Sequence, residues 1–257
     1  LAELDRVWQD GQMRVGAFEI SDPPPDLHDT FAIAMLRPWV DVGRVGTLVL
    51  EKLEQHLGAK ELAKLARPGV FFDFTRDRPR VHMVEGRRVL TTPNSVVHYA
   101  HDTESDRDHL FLHLREPHAM SEDYTDSIVT LLKHFDVTEY CRVGGMYDSV
   151  PHTRPLLVTG TLSEAQAGRA EGLFSPRKSA YQGPTSIVNL VNDELEASGI
   201  RTTTLMVHLP SYAQLNEDHL GAFRLSQVLC AAYGFPVSLA DPERGQEQYN
   251  GITRMVE

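Results

Sequence analysis

The richest group of potentially reactive side chains lies in residues 148–155, which read Asp-Ser-Val-Pro-His-Thr-Arg-Pro. This segment carries a carboxylate at Asp148, an imidazole at His152 and a guanidinium at Arg154. A histidine can move protons in acid–base catalysis, and an arginine can anchor an anionic group. The same three side chains can also form a buried hydrogen-bond network that shapes the loop. Both interpretations stay open at this point.

Shorter segments carry five further candidates. Asp41 can bind a cation or hydroxyl of a ligand, or it can cap the helix that follows it. Trp39 can stack on a ligand, or it can serve as a core or subunit contact. Glu116 and His118 can act as an acid–base pair, or they can hydrogen-bond within their own loop. Tyr212 adds a phenol in a fourth segment.

All of these segments follow predicted strands. The continuous apolar run at residues 31–36 is typical of a strand that is buried on both faces, and residues 109–114, 138–143 and 200–209 are also predicted as strands. In an open α/β sheet, ligands bind outside the carboxyl ends of the strands. We therefore expect one ligand-binding cleft at this edge. Its candidate residues are Trp39, Asp41, Glu116, His118, Asp148, His152, Arg154 and Tyr212.

Amphipathic helices are predicted between these strands. Ser121, Asn216 and Thr185 or Ser186 stand where N-caps are expected, each before apolar residues at helical spacing. Alternating strands and helices predict an α/β fold in which helices cover both faces of a mostly parallel, mixed sheet. The expected architecture is therefore a three-layer αβα sandwich.

One main domain is predicted, over residues 30–234. Residues 1–29 form an N-terminal arm, and residues 235–257 form a polar C-terminal tail with a possible final helix. An inserted antiparallel β region is expected at about residues 70–100. Within it, residues 70–74 are predicted as a strand, and Glu85-Gly86 supplies the turn of a hairpin.

The histidines raise the question of a metal site. Five of the twelve fall in one window, namely His98, His101, His109, His113 and His118. On a strand, residues four apart such as His109 and His113 lie about 13 Å apart. Residues three apart, such as His98 and His101, point to opposite faces of a strand. The chain also contains no H-E-x-x-H motif. We therefore expect no metal.

Familiar catalytic signatures are absent from the sequence. There is no G-x-S-x-G nucleophile elbow, no phosphate-binding P-loop and no G-x-G-x-x-G dinucleotide turn. No cofactor is therefore expected. Gly144-Gly145 is better explained by a strand end that closely approaches a neighbouring loop.

Composition restricts the classes of partner. The 257 residues carry a formal net charge of −11, which argues against binding to a nucleic-acid backbone. No apolar run reaches the ~18 residues that a membrane span needs. The sequence opens at Leu1 without a basic and apolar leader. Cys141 and Cys230 are not in metal-like spacing and are predicted to be buried free thiols in a cytoplasmic protein.

Several motifs together resemble the PAC2 family, relatives of proteasome assembly chaperone 2. Residues 148–161 resemble its D-x-P-H-T-R-P…V-x-G-T segment, and residues 181–187 are similar to its Y-x-G-P-T-G-I turn into a helix. Weaker similarities occur at residues 71–81, at Glu116-Pro117 and at residues 39–43. The resemblance spans roughly residues 30–233.

This resemblance implies a fold like the phosphorylase/hydrolase group and a homo-oligomer, with a trimer favoured in the bacterial, actinobacterial branch. The eukaryotic relatives are non-catalytic assembly factors that bind proteins. The chain departs from the family's common residues at three positions. Val40 and His118 stand where Asn is frequent, and Ser186 stands where Gly is frequent.

Three hypotheses follow. The first is a non-enzymatic, oligomeric binding or assembly-chaperone-like protein. The second is a hydrolase- or phosphorylase-like enzyme in which Arg154 anchors an anion while His152 or Glu116 moves protons. The third is a small-ligand sensor that uses the same cleft. An enzyme or sensor requires the polar candidates to converge, whereas a scaffold uses them for caps and internal hydrogen bonds.

Overall fold

The predicted alternation of strands and helices is present in the computed structural model, which describes residues 6–9, 12–177 and 182–256. The strands are β1 (Arg6–Gln9), β2 (Gln12–Val15), β3 (Phe18–Ile20), β4 (Thr30–Arg37), β5 (Lys60–Leu65), β6 (Arg80–Val84), β7 (Arg87–Thr91), β8 (Val96–Asp102), β9 (Arg107–Arg115), β10 (Val137–Asp148), β11 (Val158–Thr161), β12 (Ser175–Pro176) and β13 (Arg201–Pro210). The helices are α1 (Val45–Leu57), α2 (Ser121–His134), α3 (Glu164–Arg169), α4 (Ile187–Ala197), α5 (His219–Tyr233) and α6 (Glu243–Val256).

A mixed sheet forms the middle layer. Within the described ranges it has eleven strands in the order β1-β2-β3-β5-β8-β9-β4-β10-β13-β11-β12. The four central strands, β9, β4, β10 and β13, are mutually parallel, and Ile33 of β4 lies between Phe111 of β9 and Cys141 of β10. Seven of the eight residues of β4 are buried, as expected for an apolar run that is covered on both faces.

Helices cover both faces of this sheet. Alternate residues of β4 enter two cores, with Ala34 on the face packed by α2 and α4 and Ile33 on the face packed by α1 and α5. The predicted three-layer α/β fold is therefore confirmed. No helix in the described part of the chain combines the length and apolarity that a membrane crossing requires.

Described elements on both sides of the predicted main domain pack against it. The N-terminal strands β1–β3 extend the sheet through antiparallel pairing of β3 with β5, in which Phe18 lies beside Leu65. At the other end, α6 packs on α5, and the Tyr249 hydroxyl donates a hydrogen bond to Asp218 at 2.8 Å. Residues on either side of the predicted domain boundaries thus contribute to the cores.

A hairpin of β6 and β7 stands apart as its own two-stranded sheet. Glu85 and Gly86 form its turn with positive φ angles of 49° and 77°. All ten strand residues of the hairpin are exposed. The predicted hairpin turn is therefore confirmed. Among the strands of the predicted insertion, β6 and β7 lie outside the main sheet, whereas β8 belongs to it.

The strand predicted at residues 70–74 is wrong. Pro68 starts a short 3-10 helix, and the Phe71 and Phe72 amides both donate to its carbonyl oxygen. The two phenyl rings pack against Tyr124 of α2, with ring centroids 5.2 and 6.0 Å away. The apolar run is thus an anchor for a loop, and proline at a helix start favours this turn.

Two predicted N-caps are also wrong. Met120 precedes α2 in a left-handed conformation, so Ser121 is the first helical residue. At α5 the cap is Asp218 instead of Asn216, because the Asp218 carboxylate accepts a hydrogen bond from the Gly221 amide at 2.7 Å. Ser186 does occupy the cap position of α4, but its side chain makes no capping bond there.

Candidate functional site

A cleft of about 830 Å³ lies over one face of the sheet and extends to the carboxyl ends of β10 and β13. Side chains of β10, β11 and β13 form its floor. Trp39 and Val40, which follow β4, and residues 184–186 at the start of α4 form its rim. The cleft is therefore where open α/β sheets place ligands.

Three polar side chains of the cleft form a continuous hydrogen-bonded chain. Asp148 Oδ2 lies 2.8 Å from Nδ1 of His208, and Nε2 of His208 lies 2.8 Å from Oγ1 of Thr159. His208 is 3% exposed and Thr159 is 8% exposed, whereas Asp148 reaches solvent. The hydrogen bonds from His208 and from the Ser149 amide lower the pKa of Asp148, so this carboxylate is charged at neutral pH.

The hydrogen-bonded series Thr159–His208–Asp148 has the same order of groups, hydroxyl, imidazole and carboxylate, as the catalytic triad of hydrolases. In such a site the carboxylate orients the imidazole, and the imidazole removes the hydroxyl proton. Here the hydrogen-bonded series also connects three strands, since Asp148 belongs to β10, Thr159 to β11 and His208 to β13. The geometry is therefore compatible with either catalysis or structural support.

Arg142 gives the same cleft a buried positive charge. Its Nη1 donates to Asn189 Oδ1 at 2.7 Å, and Asn189 is held in turn by Thr185. Its Nε is buried and has no hydrogen-bond partner among the described residues. Burial lowers the pKa of the guanidinium. Arg177 lines the cleft as well. With two arginines, the cleft is suited to bind a carboxylate or phosphate group of a ligand.

Only Trp39 and Asp148 of the eight predicted site residues line this cleft. Trp39 is 70% exposed, which removes the core interpretation of this side chain. Tyr181, part of the family-like turn into α4, lies outside the described residues.

Asp41 is used at the start of α1. Its Oδ1 accepts a hydrogen bond from the Thr47 amide at 3.0 Å, and its Oδ2 bonds the Thr47 hydroxyl. Arg37 adds an ion pair at 3.6 Å. Burial raises the pKa of Asp41 in spite of these contacts. Asp41 thus satisfies a backbone amide in the first turn of α1, as the capping interpretation expects, although Arg44 holds the N-cap position.

Glu116 and His118 also support the fold. Oε1 of Glu116 accepts a hydrogen bond from the Ile187 amide at 3.1 Å, so Glu116 caps α4 in place of Ser186. Burial raises the pKa of Glu116, whose Oε2 has no partner in the described ranges. Nδ1 of His118 accepts from the Asp73 amide at 3.0 Å and thereby holds the loop after the 3-10 helix.

His152 and Tyr212 form a separate pair. The Tyr212 hydroxyl lies 2.8 Å from both the amide and Nδ1 of His152, and Nε2 of His152 lies 3.1 Å from Thr253 of α6. Arg154 is exposed on the same loop and is not part of the cleft lining. The polar candidates therefore do not converge in one site.

The sequence reasoning missed Arg142, Thr159, His208 and Asn189. A signal was available for two of them. Arg142 and His208 each stand between two apolar residues inside a predicted strand, and a buried polar group in such a strand requires a partner or a ligand. The proximity of Thr159 and His208 comes from antiparallel pairing of β11 with β13, which the spacing along the chain does not reveal.

Gly144 holds the rim of the cleft in place. The loop after β4 lies so close that a Cβ at Gly144 would stand 2.1 Å from the Val40 carbonyl oxygen, which accepts the Gly145 amide at 2.9 Å. The predicted close approach of strand and loop is thus present.

We expect Gly144→Ala to lower the free energy of unfolding by about 3 kcal/mol, because the obstructing atom belongs to the backbone. Urea denaturation measures this loss. Gly168→Ala in α3 is the control, since no atom lies within 4 Å of its Cβ position, and it should be neutral or slightly stabilising. Equal stability of Gly144→Ala and wild type would contradict the contact.

Comparisons with known proteins place these features in context. The model of the PAC2 family matches residues 35–252. A crystal structure of a PAC2 family protein from Streptomyces avermitilis is similar in fold, with a TM-score of 0.77 and 22% identity, over 88% of this chain and 95% of that one. A search of curated protein sequences found no match.

Two further structures of similar fold belong to proteasome-related proteins. A proteasome-assembly chaperone homologue from Mycobacterium tuberculosis has a TM-score of 0.75 and 22% identity, over 87% of this chain and 94% of that chain. PbaB from Pyrococcus furiosus, an archaeal proteasome activator, has a TM-score of 0.73 and 18% identity, over 95% of this chain and 100% of that chain. At these identities the similarity shows a shared fold.

Proposed function

The chain belongs to the PAC2 family, and on that premise we propose that it is a non-enzymatic, self-associating protein that binds other proteins in an assembly-chaperone-like role. The proposal includes a homotrimer, a cytoplasmic location and an actinobacterial source. It rests on two observations. The β6–β7 hairpin is exposed, and most of the predicted site residues form hydrogen bonds that hold helices and loops instead of lining the cleft.

The hairpin carries the proposal. An isolated two-stranded sheet is marginally stable in water, so it needs packing against something else. Register and alternation put Val81, Met83 and Leu90 on one face, where they are 50%, 68% and 60% exposed. A group of exposed apolar side chains on a projecting element is typical of a protein–protein contact.

Charge indicates what this face contacts. Residues 78–91 contain four arginines and one glutamate, whereas the whole chain carries a net charge of −11. A basic, apolar hairpin is thus carried by an acidic molecule. The acidic surface of a second copy complements it, so the hairpin of one subunit contacts the body of the next. A head-to-tail contact of this kind closes into a ring when its rotation allows, as a trimer requires.

Two more observations support the other parts of the proposal. Asp41, Glu116 and His118 hold helices and loops, as a scaffold requires and as a converging active site does not. Cys141 and Cys230 are buried free thiols, and burial raises the pKa of each to about 11. Unreactive thiols of this kind are typical of a reducing cytoplasm.

Hydrogen exchange at several protein concentrations tests the contact. We expect residues 80–91 to become protected from exchange as the concentration rises, because a neighbouring subunit covers their backbone. The buried strand β13 is the internal control, since its exchange should not vary with concentration. Concentration-independent exchange in the hairpin would overturn its role in self-association.

The partner is tested separately. Two fold neighbours, a proteasome-assembly chaperone homologue and a proteasome activator, support a proteasome core particle as the first candidate. Co-sedimentation with purified actinobacterial core particles detects binding. A specific complex that is lost when the hairpin is altered supports the chaperone-like role. Absence of a complex at micromolar concentrations removes this particle as the partner.

One observation favours a second function, a hydrolase-like enzyme. The Asp148–His208–Thr159 chain lines a cleft that also contains Arg142, so Thr159 could attack an ester or amide of an anionic substrate. His208 would take the hydroxyl proton and later return it to the leaving group, while Asp148 holds the imidazole.

A fluorophosphonate probe distinguishes these two functions, because it phosphonylates an activated hydroxyl and releases fluoride. The non-enzymatic proposal predicts no labelling of Thr159 by intact-mass analysis. Labelling that is abolished in His208→Gln, but retained in the cleft-rim variant Trp39→Ala, would establish the enzyme instead.

A further inference from the structure

Three potential metal ligands meet on the sheet face that carries α1. Oε1 of Glu54 lies 2.9 Å from Nδ1 of His98 and 2.7 Å from Nε2 of His113. The three ligand atoms lie within 4.8 Å of one another. No other part of the chain described by the structure holds a group of this kind.

Antiparallel pairing creates this arrangement. Val96 of β8 lies opposite His113 of β9, and His98 lies two residues further along the same strand. The two histidines therefore share one face as diagonal neighbours. Glu54 reaches them from α1, which packs on that face. Spacing within a single strand does not reveal this pair, because His98 and His113 belong to two different strands.

We propose that Glu54, His98 and His113 bind a divalent transition-metal ion, with zinc as the first candidate. Two imidazole nitrogens and one carboxylate oxygen are a frequent ligand set for zinc. With zinc–ligand distances of about 2.0–2.1 Å, ligand atoms in a tetrahedral site lie about 3.3 Å apart. Small side-chain movements bring the observed atoms to that spacing.

The surroundings leave a coordination position open. The three residues line a cleft of about 1040 Å³ that extends to the base of the β6–β7 hairpin. Their side chains are only partly exposed, with fractions of 15% for Glu54, 28% for His98 and 16% for His113. A water molecule or an external ligand can therefore complete the coordination sphere.

A further carboxylate, that of Glu61, lies near this position and is paired with Lys64 at 3.0 Å. Glu61 lies opposite His98 in the pairing of β5 with β8, and it lines the same cleft. Metal-bound histidines usually have a carboxylate or carbonyl close to their second nitrogen. Without a metal, the three residues form only a carboxylate that accepts hydrogen bonds from two imidazoles, and the experiment separates these two states.

Zinc titration of tag-free, chelator-treated protein at pH 7.5 tests the proposal, using competition with a chromophoric chelator. We expect one zinc ion per chain with micromolar or tighter affinity. His98→Ala, His113→Ala and Glu54→Gln should each weaken binding about 100-fold, because each removes one of three protein ligands. Circular dichroism confirms that each variant is folded.

His101→Ala is the matched control. His101 is on the same strand as His98 but on the opposite face, where it bonds Asp108. Its loss should leave zinc affinity unchanged. Cobalt substitution gives a second readout, since a tetrahedral site produces intense visible absorption that His98→Ala should remove. Binding weaker than millimolar, or binding reduced by His101→Ala and not by the other variants, would overturn the proposal.

Discussion

The triple variant Val81→Glu/Met83→Glu/Leu90→Glu is expected to be monomeric at concentrations where the wild-type protein is associated. The three side chains share one face of the hairpin and are 50–68% exposed in the isolated chain. Covering a large apolar side chain contributes up to about 1.5–3 kcal/mol, whereas covering an unpaired carboxylate is costly. Association should therefore weaken by at least about 100-fold, as measured by sedimentation velocity.

The opposite face supplies a control with the same added charge. Register places His82, Val84 and Val89 on that face of the hairpin. The variant His82→Glu/Val84→Glu/Val89→Glu should retain most of the association, since its apolar contact face is intact. If both variants dissociate equally, charge alone controls assembly. If neither dissociates, the hairpin is not the contact.

Acid is expected to destabilise the protein through His109. This histidine of β9 is 3% exposed and lies among Phe31, Phe111 and Phe235, with ring centroids 5.3–6.3 Å away. Neither ring nitrogen has a hydrogen-bond partner among the residues described. Burial lowers the pKa of His109 from 6.5 to about 4. Smaller effects on this pKa come from nearby charges: Asp102 and Asp108 raise it, whereas Arg107 and His101 lower it.

The direction of the effect follows from these two pKa values. His109 is neutral in the folded protein, whereas it takes up a proton in the unfolded chain below about pH 6.5. Its contribution to stability is therefore complete above pH 6.5 and is lost as the pH falls toward 4. The expected loss is about 3 kcal/mol in the free energy of unfolding.

Denaturant unfolding between pH 4 and 8 measures this loss. His109→Phe should flatten the curve by about that amount, because a phenyl ring suits the aromatic surroundings and does not titrate. His109→Leu serves as a second variant if the larger ring strains the core. His56→Gln, at an exposed position on α1, should keep the wild-type slope. An unchanged slope in both His109 variants would contradict the assignment.

Features that depend on local patterns could be predicted from the sequence. The continuous apolar run at residues 31–36 predicted the central strand β4, Glu85-Gly86 predicted the hairpin turn, and Gly144 predicted a close strand–loop approach. The strand predicted at residues 70–74 was wrong, because apolar side chains that anchor a loop against a helix have the same sequence pattern as a buried strand. Tertiary packing decides whether such a run becomes a loop anchor or a strand, and periodicity alone cannot distinguish them.

The site depended on longer-range information. Loops after strands were expected to provide the ligand-binding residues, yet the cleft floor comes from Arg142, Thr159 and His208 within the strands themselves. Likewise, His98 and His113 meet only because β8 and β9 pair in a particular register. Strand register is set by the packing of whole elements, so it cannot be obtained from spacing in one sequence.

The mass of the wild-type protein in solution shows directly whether the chain self-associates. Sedimentation equilibrium from micromolar to about hundred-micromolar concentration determines how many chains associate. If the basic hairpin assembles the protein, we expect the mass of three chains. We also expect dissociation at high salt, where the attraction between opposite charges is screened. A mass that stays at one chain over the whole range would contradict it.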